Sequence, residues 1–136
     1  SLTSKLVQTA QEFPTIVFSN SSDEQKVESL INAGVELIRT DARALENVLT
    51  ALKKRELQSV LVEGGTAIAG AFIDSRLVDK VSMMVSPFII GGHAAPSSIG
   101  GIGAATLAEA LRLADLEVVR HDADIEISGY PAEGGE

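Results

Sequence analysis

The spacing of apolar positions along the chain changes period several times, and each change marks an element. Pro14-Thr-Ile-Val-Phe-Ser19 is a β-branched and aromatic run and predicts a strand. Val27, Leu30 and Ile31 then recur at helical spacing, behind Ser22 and Gln25 at capping-box distance. Gly34 stands where a glycine closes a helix, and Val35–Arg39 predicts a second strand. Asp41 is placed to cap a second helix with an apolar face of Leu45, Val48, Leu49 and Leu52. Lys53, Lys54 and Arg55 occupy its last turn, where the helix dipole favours cations. Ser59–Glu63 predicts a third strand and Thr66–Arg76 a third helix, with Ile68/Phe72 and Ala69/Ile73 four apart. Val78–Ser86 predicts a fourth strand, with Val81, Met83 and Val85 on one face.

Beyond Pro87 the pattern becomes irregular and glycine-rich as far as Gly103. Thr106 and Glu109 then repeat the capping-box spacing and open a short helix with Leu107, Ala110 and Leu111. Leu116–His121 and Asp124–Ser128 read as strands joined by Asp122-Ala123, a tight hairpin. Strands alternating with helices and closed by a hairpin predict an α/β fold. Its sheet is expected to be parallel in the middle and antiparallel at one edge. Residues 1–129 read as one domain and residues 130–136 as a frayed C-terminal tail.

Composition narrows the function classes. A chain of 136 residues, 45% hydrophobic, supports one core and not two ordinary domains. No apolar run approaches the ~18 residues of a membrane span, and the first residues lack a signal-peptide pattern. The net charge of −8 argues against a nucleic-acid groove. With no cysteine there is neither a disulfide nor a thiolate metal site, which fits a cytoplasmic protein. Ser1–Ala10 already has the apolar spacing of an interior segment, so the chain is expected to begin inside something larger; a removed initiator methionine is the plainer alternative.

The candidate chemistry gathers at Val60-Leu-Val-Glu-Gly-Gly-Thr66. An apolar strand ending in a glycine pair at a helix start leaves backbone N–H groups free for an anion. Gly64 and Gly65 can adopt positive φ and admit close approach, and Thr66 adds a hydroxyl. Tight strand-to-helix turns also use glycine for steric reasons alone. The segment is neither a Walker A loop nor G-x-G-x-x-G. Glu63 ends the apolar run as either a solvent-facing carboxylate or a ligand contact. Ser19, Asn20, Ser21 and Ser22 turn the chain after the first strand, or alternatively bond a ribose or phosphate. His93 and His121 have no metal-ligand spacing, and no serine has a hydrolase setting.

The segment LVEGGTAIAGAFIDSRLVDKVSMMVSPFIIGG, Leu61 to Gly92, resembles the C-terminal reductase domain of bifunctional riboflavin-biosynthesis proteins. The resemblance extends upstream over LTSKLVQTAQEFPTIVFSN, Leu2–Asn20, and downstream over LAEALRLADLEVVRHDADIEISG, Leu107–Gly129. It implies a dihydrofolate-reductase-like three-layer α/β fold. That fold has a mostly parallel central sheet and an antiparallel C-terminal hairpin, here without the family's N-terminal strands. It also implies NADPH as cofactor, reducing the ribosyl group of 5-amino-6-(5-phosphoribosylamino)uracil to ribityl, and a homodimer. By resemblance Gly64, Gly65, Thr66, Ala67, Ile68, Ala69, Gly70 and Ala71 embrace NADPH, and Glu63 lies on the substrate side. A looser likeness to dihydrofolate reductases puts Ser19 and Asn20 near the adenosine ribose and its 2′-phosphate. The implied chemistry needs no catalytic nucleophile, because the cofactor carries the hydride. The sequence departs from the family at its front, where the missing strands supply many contacts, so the piece alone is expected to turn over poorly and to self-associate. A non-catalytic nucleotide-binding or dimerisation module of the same fold is the alternative from another class. A related enzyme acting on another pterin or pyrimidine is a third.

Overall fold

The structure, a computed structural model, describes residues 1–132. Along them run α1 (Lys5–Gln8), β1 (Ile16–Ser19), α2 (Glu24–Asn32), β2 (Glu36–Arg39), α3 (Leu45–Lys53), α4 (Thr66–Asp74), β3 (Val81–Val85), β4 (Leu113–His121) and β5 (Asp124–Pro131). The chain divides into two units, Ser1–Val60 and a second beginning at Leu61, and each unit has its own sheet. Among the described residues no helix is long and apolar enough to cross a membrane.

In the first unit β1 and β2 pair in parallel, from Ile16 opposite Glu36 to Ser19 opposite Arg39. Parallel neighbours need a crossover, and α2 supplies it. Its N-cap is Asp23, whose Oδ1 accepts the Lys26 N–H at 3.0 Å. The expected Ser22/Gln25 box is therefore displaced by one residue. Ser21 Oγ accepts the Asp23 N–H at 3.2 Å, so the serines turn the chain and hand the cap to the carboxylate. At the other end Gly34 adopts φ +95°, as its position predicted. Its N–H reaches the Ile31 carbonyl at 2.9 Å and the Val35 N–H reaches Leu30 at 3.1 Å, which together form a Schellman closure. That closure delivers Val35, 3% exposed, into a small core with Val7 and Ala10, against which Val17, Leu30 and Ala33 pack.

Asp41 does not cap α3. Its Oδ1 accepts the Arg43 N–H at 3.0 Å, a local turn that competes with capping, and the N-cap position falls to Ala44 without a side-chain bond. Arg55 donates from Nη1 to the Ala51 carbonyl at 3.1 Å and from Nε to Glu36 Oε1 at 3.1 Å, tying the helix end to β2. Arg39 Nη2 donates to both oxygens of Glu24 at 2.9 and 2.7 Å. Both pairs are solvent-exposed, so each contributes at most about 1 kcal/mol.

The second unit holds an antiparallel sheet in the order β3-β5-β4. The predicted Asp122-Ala123 hairpin forms, with His121 opposite Asp124 and Asp122 at φ +53°. A register shift between Ala114 and Glu117 bends β4, with Asp115 at φ +50°. β5 runs on through Tyr130 and Pro131, so these two residues are paired to β4 rather than frayed. Residues 133–136 of the expected tail lie outside the described residues.

Three other expectations fail here. Ser59–Glu63 forms no strand, and Leu61 stands 83% exposed. A strand exists only through its ladder, and no described residue pairs with this run. The expected mostly parallel central sheet is accordingly replaced by one parallel pair and a separate antiparallel sheet. The Thr106 box closes a single turn, with the Glu109 N–H on the Thr106 carbonyl at 3.1 Å, and no helix follows. Leu107 is 93% exposed, so no buried face offsets the cost of nucleation.

Candidate functional site

Helix α4 opens at Gly65, which sits at φ −67° and ψ 175° and gives no side-chain cap. Neither Gly64 nor Gly65 uses the positive φ that is open to glycine. Space explains the first of them. A Cβ on Gly64 would lie 2.8 Å from Cβ of Ile68, whereas a Cβ on Gly65 would meet nothing within 4 Å. The helix start thus has no side-chain cap and open space at Gly65, and the earliest N–H groups of a helix have no intrahelical partner. Glu63, immediately before the glycines, is exposed.

Downstream, Ala67 and Ile68 face solvent, Thr66, Ala69 and Ala71 are half-buried, and Gly70 is buried. The buried side of α4 meets a segment that the sequence pattern left irregular. The Gly100 N–H donates to the Thr66 carbonyl at 2.9 Å. A Cβ on Gly70 would stand 2.2 Å from the Gly100 carbonyl oxygen, so two backbones touch there. Glu63 through Ala71 thus form one continuous turn and helix, walled by Gly100–Gly103.

Ser19 and Asn20 belong to the first unit. Ser19 ends β1, is half-buried, and its Oγ accepts the Ser21 N–H at 3.1 Å, which is the turn-forming use of this serine. Asn20 is exposed. A cleft of 460 Å³ on the same unit is lined by Glu24, Val27, Glu28, Ile31, Leu37 and Arg39, and includes neither residue. His93 is exposed in the glycine-rich stretch. Among the described residues no group of three or more acidic or histidine side chains is placed to hold a metal.

One polar cluster had no signal in sequence spacing, because strand pairing creates it. Ser82 Oγ donates to Glu126 Oε1 at 2.7 Å, and Glu126 Oε2 lies 2.9 Å from His121 Nε2. The Ser82 bond first, and His121 second, hold the Glu126 carboxyl below the usual carboxylate range, with a smaller pull from Lys80. A carboxyl lowered by folding contributes stability above its unfolded pKa and loses it as pH falls through the folded one. The urea midpoint is accordingly expected to fall on acidification, and Glu126→Gln is expected to flatten part of that slope. Superimposable pH profiles for the two proteins would remove Glu126 from the linkage.

Similarity to known proteins gives the family. The family described as the RibD C-terminal domain matches residues 1–127. The chain is 33% identical over 113 residues to the riboflavin biosynthesis protein RibD of Actinobacillus pleuropneumoniae, covering 80% of this chain and 30% of that protein. It is 30% identical over 106 residues to the 2,5-diamino-6-ribosylamino-4(3H)-pyrimidinone 5′-phosphate reductase of Aquifex aeolicus, covering 76% and 47% respectively. The solved structure of Acinetobacter baumannii RibD superposes with a TM-score of 0.80 at 25% identity, over 97% of this chain and 34% of the other. The chain thus spans about a third of the length of the RibD proteins it matches. With residues 1–127 matched by one family, the chain belongs to the RibD C-terminal domain family.

Proposed function

We propose that this chain supplies the cofactor cradle of an NADPH-dependent reductase of riboflavin biosynthesis. Its substrate is 5-amino-6-(5-phosphoribosylamino)uracil, whose ribosyl group it reduces to ribityl. The observation that carries this reading is the uncapped start of α4 at Gly65, open for 4 Å around the position a Cβ would take. Exposed N–H groups and the positive end of the helix dipole suit a pyrophosphate. When bound, NADPH supplies the hydride. The chain's own residues then have to bind, orient and exclude water. Gly64 and Gly65 keep the approach clear, Thr66 through Ala71 form the wall, and Glu63 faces the polar pyrimidine.

Titration with NADPH, read by nicotinamide fluorescence, is expected to saturate, and NADPH oxidation is expected only with the pyrimidine present. Glu63→Gln is expected to raise KM for the pyrimidine while NADPH affinity holds. A flat NADPH titration would defeat the reading.

One observation favours a second reading, a homodimerising module that does no chemistry. Phe88, Ile89 and Ile90 are 82%, 99% and 81% exposed, three consecutive large apolar side chains open to a partner. Light scattering separates the two. A stable oligomer that ignores NADPH would favour the module.

A further inference from the structure

We propose that Asp74 is a positioning residue for the cradle, clasping Gly100–Gly103 along α4 so that this segment walls the helix's first turn. The proposal rests on the cofactor reading above. Asp74 is the last residue of α4. Its Oδ2 accepts the Ile102 N–H at 2.7 Å and its Oδ1 accepts the Gly103 N–H at 3.2 Å. At the helix's other end, the Gly100 N–H donates to the carbonyl of Thr66, its first residue, at 2.9 Å. The segment is thus fastened to both the first and the last residue of α4.

The residue types along the contact follow from that fastening. Gly101 lies at φ +92°, and a Cβ there would stand 2.4 Å from Asp74 Oδ2. Gly103 lies at φ +70°. Side chains at Gly70 and Gly100 would press on opposing backbone, the first on Gly100 and the second on the Thr66 carbonyl at 3.1 Å.

Two facts separate this arrangement from ordinary core building. Ile102, between the two bonded amides, is 95% exposed, so the clasp buries no apolar side chain of the segment it holds. A carboxylate at a helix C-terminus also opposes the helix dipole, so Asp74 is poorly placed to stabilise α4 itself. What the clasp secures is the location of a backbone wall beside Thr66, where the cofactor's phosphates are proposed to lie.

The test compares wild type, Asp74→Asn and Asp74→Ala by amide hydrogen exchange, melting temperature and NADPH titration. Asp74→Ala is expected to speed exchange at Ile102 and Gly103 and to raise the NADPH Kd about tenfold, the equivalent of one charge-assisted hydrogen bond. Asp74→Asn keeps the volume and one acceptor and is expected to fall between. It carries the test if the alanine variant does not fold. Val7→Ala loosens the core of the first unit and is expected to lower the melting temperature without moving the Kd. Freed amides with an unchanged NADPH Kd would overturn the clasp alone. A wild type that binds no NADPH would overturn the cofactor reading, and the clasp's role with it.

Discussion

Gly70→Ala is expected to destabilise the protein by about 2 kcal/mol, although alanine is ordinarily the better helix former. In an exposed helix interior the exchange would be favourable by about 1 kcal/mol. Here the added methyl would lie 2.2 Å from the Gly100 oxygen, 2.3 Å from its carbon and 2.6 Å from the Gly101 nitrogen. These are backbone atoms, so no rotamer change relieves the clash. Nor can the segment simply swing away, because Thr66 holds it at one end and Asp74 at the other. Accommodation requires breaking one of those fastenings, and a lost hydrogen bond costs about 1 kcal/mol beyond the strain. Urea unfolding of the two proteins measures the difference. A Gly70→Ala protein as stable as wild type would mean that the α4 contact with Gly100 is looser than described.

This contact also marks where reading the sequence stops. The first unit was largely legible because its signals are short-range. The Val27, Leu30 and Ile31 stripe, Gly34 at the helix end and the β-branched run before Ser19 each act over a few residues. Ser59–Glu63 misled because an apolar run looks the same whether or not a partner strand is present to pair with it. The Asp74 clasp joins positions 28 residues apart and leaves no periodicity to detect. Gly64 and Gly65 could adopt positive φ by type and neither does; a Cβ on the first would meet Ile68 and one on the second would meet nothing within 4 Å, which no periodicity foretells.

Gly65→Asp is expected to move stability and binding in opposite directions. Gly65 occupies the N-cap with extended backbone at φ −67° and ψ 175° and open space around its Cβ, so an aspartate fits without strain. Its carboxylate would accept the N–H bonds that the helix start lacks and would meet the positive end of the dipole. Stability is expected to rise by about 0.5–1 kcal/mol. The same bonds are the ones proposed for the cofactor's pyrophosphate. An aspartate both occupies them and repels a second anion, and losing two charge-assisted bonds weakens NADPH binding about a hundredfold. Gly64→Ala should lower both. Its methyl meets Ile68 Cβ at 2.8 Å and Cγ2 at 3.0 Å, so it costs about 1 kcal/mol of stability through overpacking, and it narrows the approach that the two glycines are proposed to keep clear. Urea midpoints and NADPH titrations on both variants give four numbers, and the opposite signs of the two stability changes beside weakened binding in both are the prediction. Gly65→Asp binding NADPH as tightly as wild type would place the phosphates elsewhere than the start of α4.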